Sequence, residues 1–109
     1  MILDIVSISG DYVVIGVGSD DNNGLFDSGS VYIFVRNGST WTEQTKLVAP
    51  DADHCRFFGW SVSISENSVV VGSLDANLPS GSAYVFIRSG NTWTHQAILT
   101  VSDLSLIHI

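Results

Sequence analysis

An all-β fold built from two tandem four-stranded antiparallel units is what this sequence predicts. Three observations carry the prediction. The chain repeats itself with a period near 50 residues, its apolar residues follow the alternation of strands, and Gly, Asn, Ser and Asp punctuate it where hairpins would turn.

The repeat is read by laying the chain over itself. Val6-Ser7-Ile8-Ser9 recurs as Val62-Ser63-Ile64-Ser65, and Val13-Val14-Ile15-Gly16 recurs as Val69-Val70-Val71-Gly72, both 56 residues on. Ser28-Gly29-Ser30-Val31-Tyr32-Ile33-Phe34-Val35-Arg36 returns as Ser80-Gly81-Ser82-Ala83-Tyr84-Val85-Phe86-Ile87-Arg88, now 52 residues on, and Thr40-Trp41-Thr42 matches Thr92-Trp93-Thr94. The shortening is a four-residue deletion between Gly72 and Ser80. Residues 6–16 share 7 of 11 positions with 62–72, and 28–51 share 13 of 24 with 80–103. Agreement at that level makes the two halves copies of one unit. A period of this length points to a propeller or a solenoid.

Within each copy the elements follow in order. Residues 6–9 and 61–65 alternate small polar with apolar side chains, as a strand with two unlike faces does. Tyr12 to Ile15 and Val69 to Val71 are apolar on both faces, which suits a strand sandwiched between neighbouring sheets. Val31 to Val35 and Ala83 to Ile87 read the same way. Trp41 to Leu47 and Trp93 to Leu99 mix large apolar with polar residues, the pattern of an outer, half-exposed strand. Ser9-Gly10-Asp11 and Ser65-Glu66-Asn67-Ser68 supply the first turn of each copy. Arg36-Asn37-Gly38-Ser39 and Arg88-Ser89-Gly90-Asn91 supply the last. No segment holds a helical period for three turns. Four short strands per unit make the unit a β-propeller blade. Tyr32 with Trp41, and Tyr84 with Trp93, keep a nine-residue spacing, and packing between blades is favoured for them over ligand stacking.

The residues that repeat resemble the FG-GAP repeats, the propeller blades of integrin alpha-chain ectodomains and of many surface proteins. Phe58-Gly59-Trp60-Ser61-Val62-Ser63-Ile64 opens a unit, Val70-Val71-Gly72 follows, and Ser80 to Phe86 with Thr92-Trp93-Thr94-His95-Gln96 complete it. The resemblance runs from about Val6 to Asp103. Two departures stand out: Ile2-Leu3 occupies the place of Phe58-Gly59 in the first unit, and Arg56 stands where such repeats commonly carry Asp. The units divide as 1–59 for the first blade and its linker, 60–103 for the second, and an unmatched tail at 104–109. Blades of this kind close into rings of about seven, so the chain is expected to be a fragment of a larger propeller, with further blades of a parent chain as partners. The resemblance implies a non-catalytic, extracellular or cell-surface recognition module that binds protein or glycan through its loops. A purely structural array, and a propeller domain attached to an enzyme, are the alternatives.

Composition excludes other classes. A net charge of −7 with only four scattered cations, Arg36, Lys46, Arg56 and Arg88, leaves no basic surface for nucleic acid. The apolar runs are far too short to span a bilayer, and Met1-Ile2-Leu3-Asp4 has neither a basic start nor a cleavable apolar stretch. Cys55 is alone, so no intrachain disulfide forms, and His54, His95 and His108 lack the spacing of a zinc site. No Gly-x-Ser-x-Gly elbow or phosphate-cradling Gly-rich loop is present, and no catalytic residues are expected.

One loop invites a metal. Ser19-Asp20-Asp21-Asn22-Asn23-Gly24-Leu25-Phe26-Asp27 approximates the Asp-rich calcium loop that the resemblance brings with it. Ser19, Asp21, Asn23 and Asp27 fall on the ligand positions and Gly24 at the sharp turn. Closely spaced oxygen donors suit Ca²⁺, but Ser19 and Asn23 replace carboxylates and leave two anionic ligands, which weakens affinity. A solvated Asp/Asn turn explains the same residues. The second unit's Leu74-Asp75-Ala76-Asn77-Leu78-Pro79 cannot form such a site.

Overall fold

The computed structural model describes residues 5–21, 24–25, 27–50, 56–74 and 81–101. Eight strands follow in chain order: β1 (Ile5–Ser9), β2 (Tyr12–Val17), β3 (Ser30–Asn37), β4 (Thr40–Leu47), β5 (Ser61–Ser65), β6 (Ser68–Leu74), β7 (Gly81–Ser89) and β8 (Thr92–Val101). They form two four-stranded antiparallel sheets, β1-β2-β3-β4 and β5-β6-β7-β8, each a plain meander. The expected pair of blades is what forms. Among the described residues no helix is long and apolar enough to cross a membrane.

The registers explain why the middle strands are apolar on both sides. Val14 pairs with Ile33 and Gly16 with Val31, and these residues share one face of the first sheet. Val13 pairs with Phe34 and Ile15 with Tyr32 on the opposite face. In the second sheet the copies of that opposite face, Val69, Val71, Tyr84 and Phe86, are buried. They pack against Val14, Val31 and Ile33 of the first sheet, and the core is this seam between the blades. Trp93 closes it, with its ring edge-on to Tyr12 at 6.1 Å. The packing role expected of Tyr84 and Trp93 is the one they have. Trp41 differs, standing exposed on the far face of the first sheet.

The Phe-Gly pair acts as a wedge in this seam. Phe58 is completely buried, with its ring 5.1 Å from Tyr84 and 6.1 Å from Phe86, both edge-on. Gly59 has a φ of 94°, and a Cβ there would stand 2.7 Å from the Ser30 carbonyl. Only glycine lets the chain turn so close to the first blade.

Both copies carry the same irregularity. Pairing of β3 with β4 skips Gln44 between Thr45 and Glu43, and pairing of β7 with β8 skips Gln96 between Ala97 and His95. A bulge of this kind re-aims the side chain of its extra residue. Gln44 uses it to reach Trp93, whose indole N–H donates to Gln44 Oε1 at 2.9 Å. Turn chemistry is shared less completely: Gly10 has a φ of 56°, and its counterpart Glu66 holds 54° without glycine's freedom.

Candidate functional site

The antiparallel order sorts the connections by end. Hairpin turns at Gly10, Gly38, Glu66 and Gly90 all lie at one end of the sheets. At the other end lie the long β2–β3 connection and the β4–β5 connection, together with the strand ends that residues 75–80 join. The two copies agree along their strands and diverge in these connections, which is where a repeat scaffold carries its binding residues.

Backbone hydrogen bonds tie the first two of these connections together. Gly29 N–H donates to the Asp20 carbonyl at 2.9 Å, closing the base of the β2–β3 loop. Phe57 N–H donates to the Asp27 carbonyl at 2.9 Å, and Phe58 N–H to the Ser28 carbonyl at 3.0 Å. Gly29 and Phe58 form an isolated parallel bridge. Asp27 and Phe57 both take positive φ, 50° each, as the chain bends on either side of that bridge. Beyond it Trp60 is 53% exposed, with Phe57 edge-on at 5.8 Å. The result is an exposed Trp60, backed by a half-buried Phe57, beside an acidic loop.

The four expected metal ligands fare differently. Asn23 lies outside the described residues. Asp21 is exposed, and its Oδ1 accepts the Asp27 backbone N–H at 2.9 Å, a side-chain bond that shapes the loop by itself. Ser19 Oγ is buried and makes no hydrogen bond among the described residues. Asp27 bends the chain through its positive φ. Described residues hold no group of three His, Cys, Asp or Glu side chains placed to share a metal. His54 and Cys55 fall outside the described residues.

Asp20 turns out to be framework. Its Oδ2 accepts the Tyr32 hydroxyl at 2.7 Å and has Lys46 Nζ 3.9 Å away. Burial pushes the Asp20 carboxyl up, but the hydrogen bonds from Tyr32 and Ser30, with the charge of Lys46, hold it below its usual 3.8. The same bond to Asp20, helped by burial, raises Tyr32 above its usual 10.0. Residues 20–27 therefore divide: Asp20 anchors, while Asp21 faces solvent. Sequence alone did not separate them, because the partners Tyr32 and Lys46 come from β3 and β4.

The FG-GAP repeat family matches residues 4–34 and 41–86, most of the chain and both sheets. This chain belongs to the FG-GAP repeat family. The FG-GAP pair is also similar to the non-toxic nonhemagglutinin type A of Clostridium botulinum (strain Kyoto / Type A2), 30% identical over 82 residues. A second type A protein of Clostridium botulinum is 30% identical and a type E protein 27% identical over the same length. Each match covers 75% of the FG-GAP chain but only 6% to 7% of the relative, so the chain spans a small part of their length. No solved structure matches it. Within the family frame the Phe58-Gly59 wedge explains the motif's name: the aromatic fills the seam and the glycine admits the neighbouring backbone.

Proposed function

We propose that this chain is part of a non-catalytic extracellular or cell-surface recognition module, and that it binds a protein or glycan at the long-loop end. One observation carries the reading. The end bearing Asp21, Asp27, Phe57 and Trp60 lies outside the strands that repeat, and it sets the 53% exposed ring of Trp60 beside acidic groups. An exposed ring with polar neighbours is the chemistry by which sugars and peptides are held. The relatives are named for lacking toxicity and hemagglutination, and that name supplies no ligand. An arrayed panel of glycans and extracellular proteins, probed with the chain and with Trp60→Ala, tests the proposal. Signals lost in the variant at unchanged thermal stability support it; signals that survive Trp60→Ala place binding elsewhere.

A second reading adds Ca²⁺ at Ser19, Asp21, Asn23 and Asp27. The specific observation in its favour is the buried Ser19 Oγ with no partner among the described residues. Oxygen donors on a short loop have the right chemistry for that ion, and the low count of carboxylates makes it a weak site. Calorimetric titration with CaCl₂ decides it: heat that disappears in Asp21→Ala/Asp27→Ala supports calcium, and no heat at millimolar Ca²⁺ leaves a solvated turn.

A further inference from the structure

The hairpin end of the first sheet, opposite the long loops, carries a pattern of its own. Asn37-Gly38-Ser39 has the Asn-x-Ser order, with x other than Pro, of an N-linked glycosylation acceptor. Asn22, Asn23, Asn67, Asn77 and Asn91 all lack Ser or Thr two residues on, so the chain carries the pattern once. Three residues can fall into such an order by chance, and their place in the fold decides whether they can serve.

They stand at the tip of the β3–β4 hairpin. Asn37 pairs with Thr40, which leaves Gly38 and Ser39 as a two-residue turn. Gly38 takes a φ of 65°, which such a turn asks of its first central residue, and a Cβ there would meet nothing within 4 Å. Asn37 to Thr40 are all exposed. By the alternation of a strand, Asn37 falls on the side of β3 that carries Val31 and Ile33, which the second blade covers. It is exposed with that blade in place, so no absent neighbour accounts for its accessibility. Behind it the stem is braced. The Arg36 guanidinium donates to Asp11 Oδ1 from Nε at 3.1 Å and from Nη2 at 2.8 Å, and its backbone N–H donates to the Asp11 carbonyl at 2.7 Å.

The second copy builds the same hairpin without the pattern. Ser89 pairs with Thr92, and Gly90 takes a φ of 62° with open space around it. Asn and Ser have exchanged places, Ser89-Gly90-Asn91 against Asn37-Gly38-Ser39. The turn forms with either order, whereas an acceptor needs Asn first.

We propose that Asn37 is the acceptor of an N-linked oligosaccharide. The donor by class is an oligosaccharide joined through pyrophosphate to a lipid. Asn37 Nδ2 forms a bond to C1 of the first sugar, the bond from C1 to the pyrophosphate oxygen breaks, and the lipid pyrophosphate leaves with that electron pair. Nδ2 gives up one proton to the transferase, and nothing is oxidised or reduced. The sugar stands at the hairpin end, where it adds bulk and solubility, and leaves the end bearing Asp21 and Trp60 free. The inference rests on the extracellular reading, because N-glycan transfer accompanies secretion.

Expression of the whole chain behind a cleavable secretion leader in cultured eukaryotic cells tests it, with glycopeptide mass spectrometry on the cell-retained and the released chain. The wild-type chain is expected to carry sugar at Asn37 and at no other residue. Asn37→Gln and Ser39→Ala should each abolish it, Ser39→Thr should keep it, and Ser89→Asn/Asn91→Ser should add a second site on the other hairpin. The glycosylated chain and Asn37→Gln should unfold at the same thermal midpoint. A wild-type chain without sugar overturns the inference, as does sugar that persists in Asn37→Gln. A lower midpoint for the glycosylated chain overturns the placement of the sugar clear of the packing. Loss of the sugar leaves Trp60-dependent binding unaffected, and a failure of that binding leaves the sugar at Asn37, so the two readings fail separately.

Discussion

Trp93 on β8 and Gln44 on β4 meet across the seam between the blades, where the indole N–H donates to the amide oxygen at 2.9 Å. The bond joins a buried ring to the extra residue of a bulge, so it fixes the blades against each other in one register. Trp93→Ala is expected to cost about 3 to 5 kcal/mol, as for other buried large rings. Gln44→Ala removes only the acceptor and is expected to cost about 1 to 2 kcal/mol, because a buried donor is left unpaired. Denaturant unfolding of both single variants and the double variant should show the effects to be non-additive. Additive losses would mean the bond contributes nothing to the seam.

Gly29 supports the same seam from the backbone. Its φ is 85°, and a Cβ there would lie 2.0 Å from the Phe58 carbonyl oxygen and 2.4 Å from its nitrogen. Gly24 has a similar φ of 80° with open space around it. Gly24→Ala is thus expected to cost only the left-handed penalty of about 1 to 2 kcal/mol. Gly29→Ala must also push Phe58 out of its place, and should cost roughly 3 kcal/mol or more, at the upper end of single substitutions. Equal losses in the two variants would refute the steric account.

Glu66 offers the opposite test. It holds a φ of 54° at the position where the first copy has Gly10. Its backbone N–H donates to Ser9 Oγ at 3.2 Å, a bond that glycine would keep. Glu66→Gly is expected to stabilise the chain by up to about 1 kcal/mol, the relief of left-handed strain less the extra entropy of glycine when unfolded. A fall in thermal midpoint would show that the Glu66 side chain contributes something that outweighs the strain.

The Asp20–Tyr32 hydrogen bond predicts the pH profile at both extremes. The Asp20 carboxyl is lowered in the fold, so its contribution is present above its unfolded pKa near 3.8 and is lost as pH falls through the lower folded value. Tyr32 is raised, so its contribution is present below its unfolded pKa near 10.0 and is lost as pH rises through the higher folded value. Tyr32→Phe should therefore be less stable at neutral pH, with the gap to the native chain closing in strong acid and in strong base. Urea midpoints measured from about pH 2 to 11 check this, and a gap that stays constant would assign the loss to packing.

Much of the fold was legible in the chain's agreement with itself. Two copies matching at Val13-Val14-Ile15-Gly16 and at Ser30 to Arg36 left little freedom in strand order, since alternating residues must share a face and short Gly or Asn turns must join neighbours. The loops were less legible. Asp20, Asp21 and Asp27 look alike in sequence, and only the placement of Tyr32 and Lys46 beside the loop makes Asp20 an anchor.

Sequence by itself determined the number of blades, their strands and the apolar character of both faces of each sheet. Tertiary structure alone decided which of two near-identical faces is core. Val13 and Val69 occupy the same place in the repeat, yet Val69 is buried by the other sheet while Val13 lines an open hollow. A repeat encodes both halves of an interface in every copy, so burial depends on which neighbour is present and not on the residue. Trp41 and Trp93 differ in the same way, and for the same reason: only one of them has a Gln across the seam.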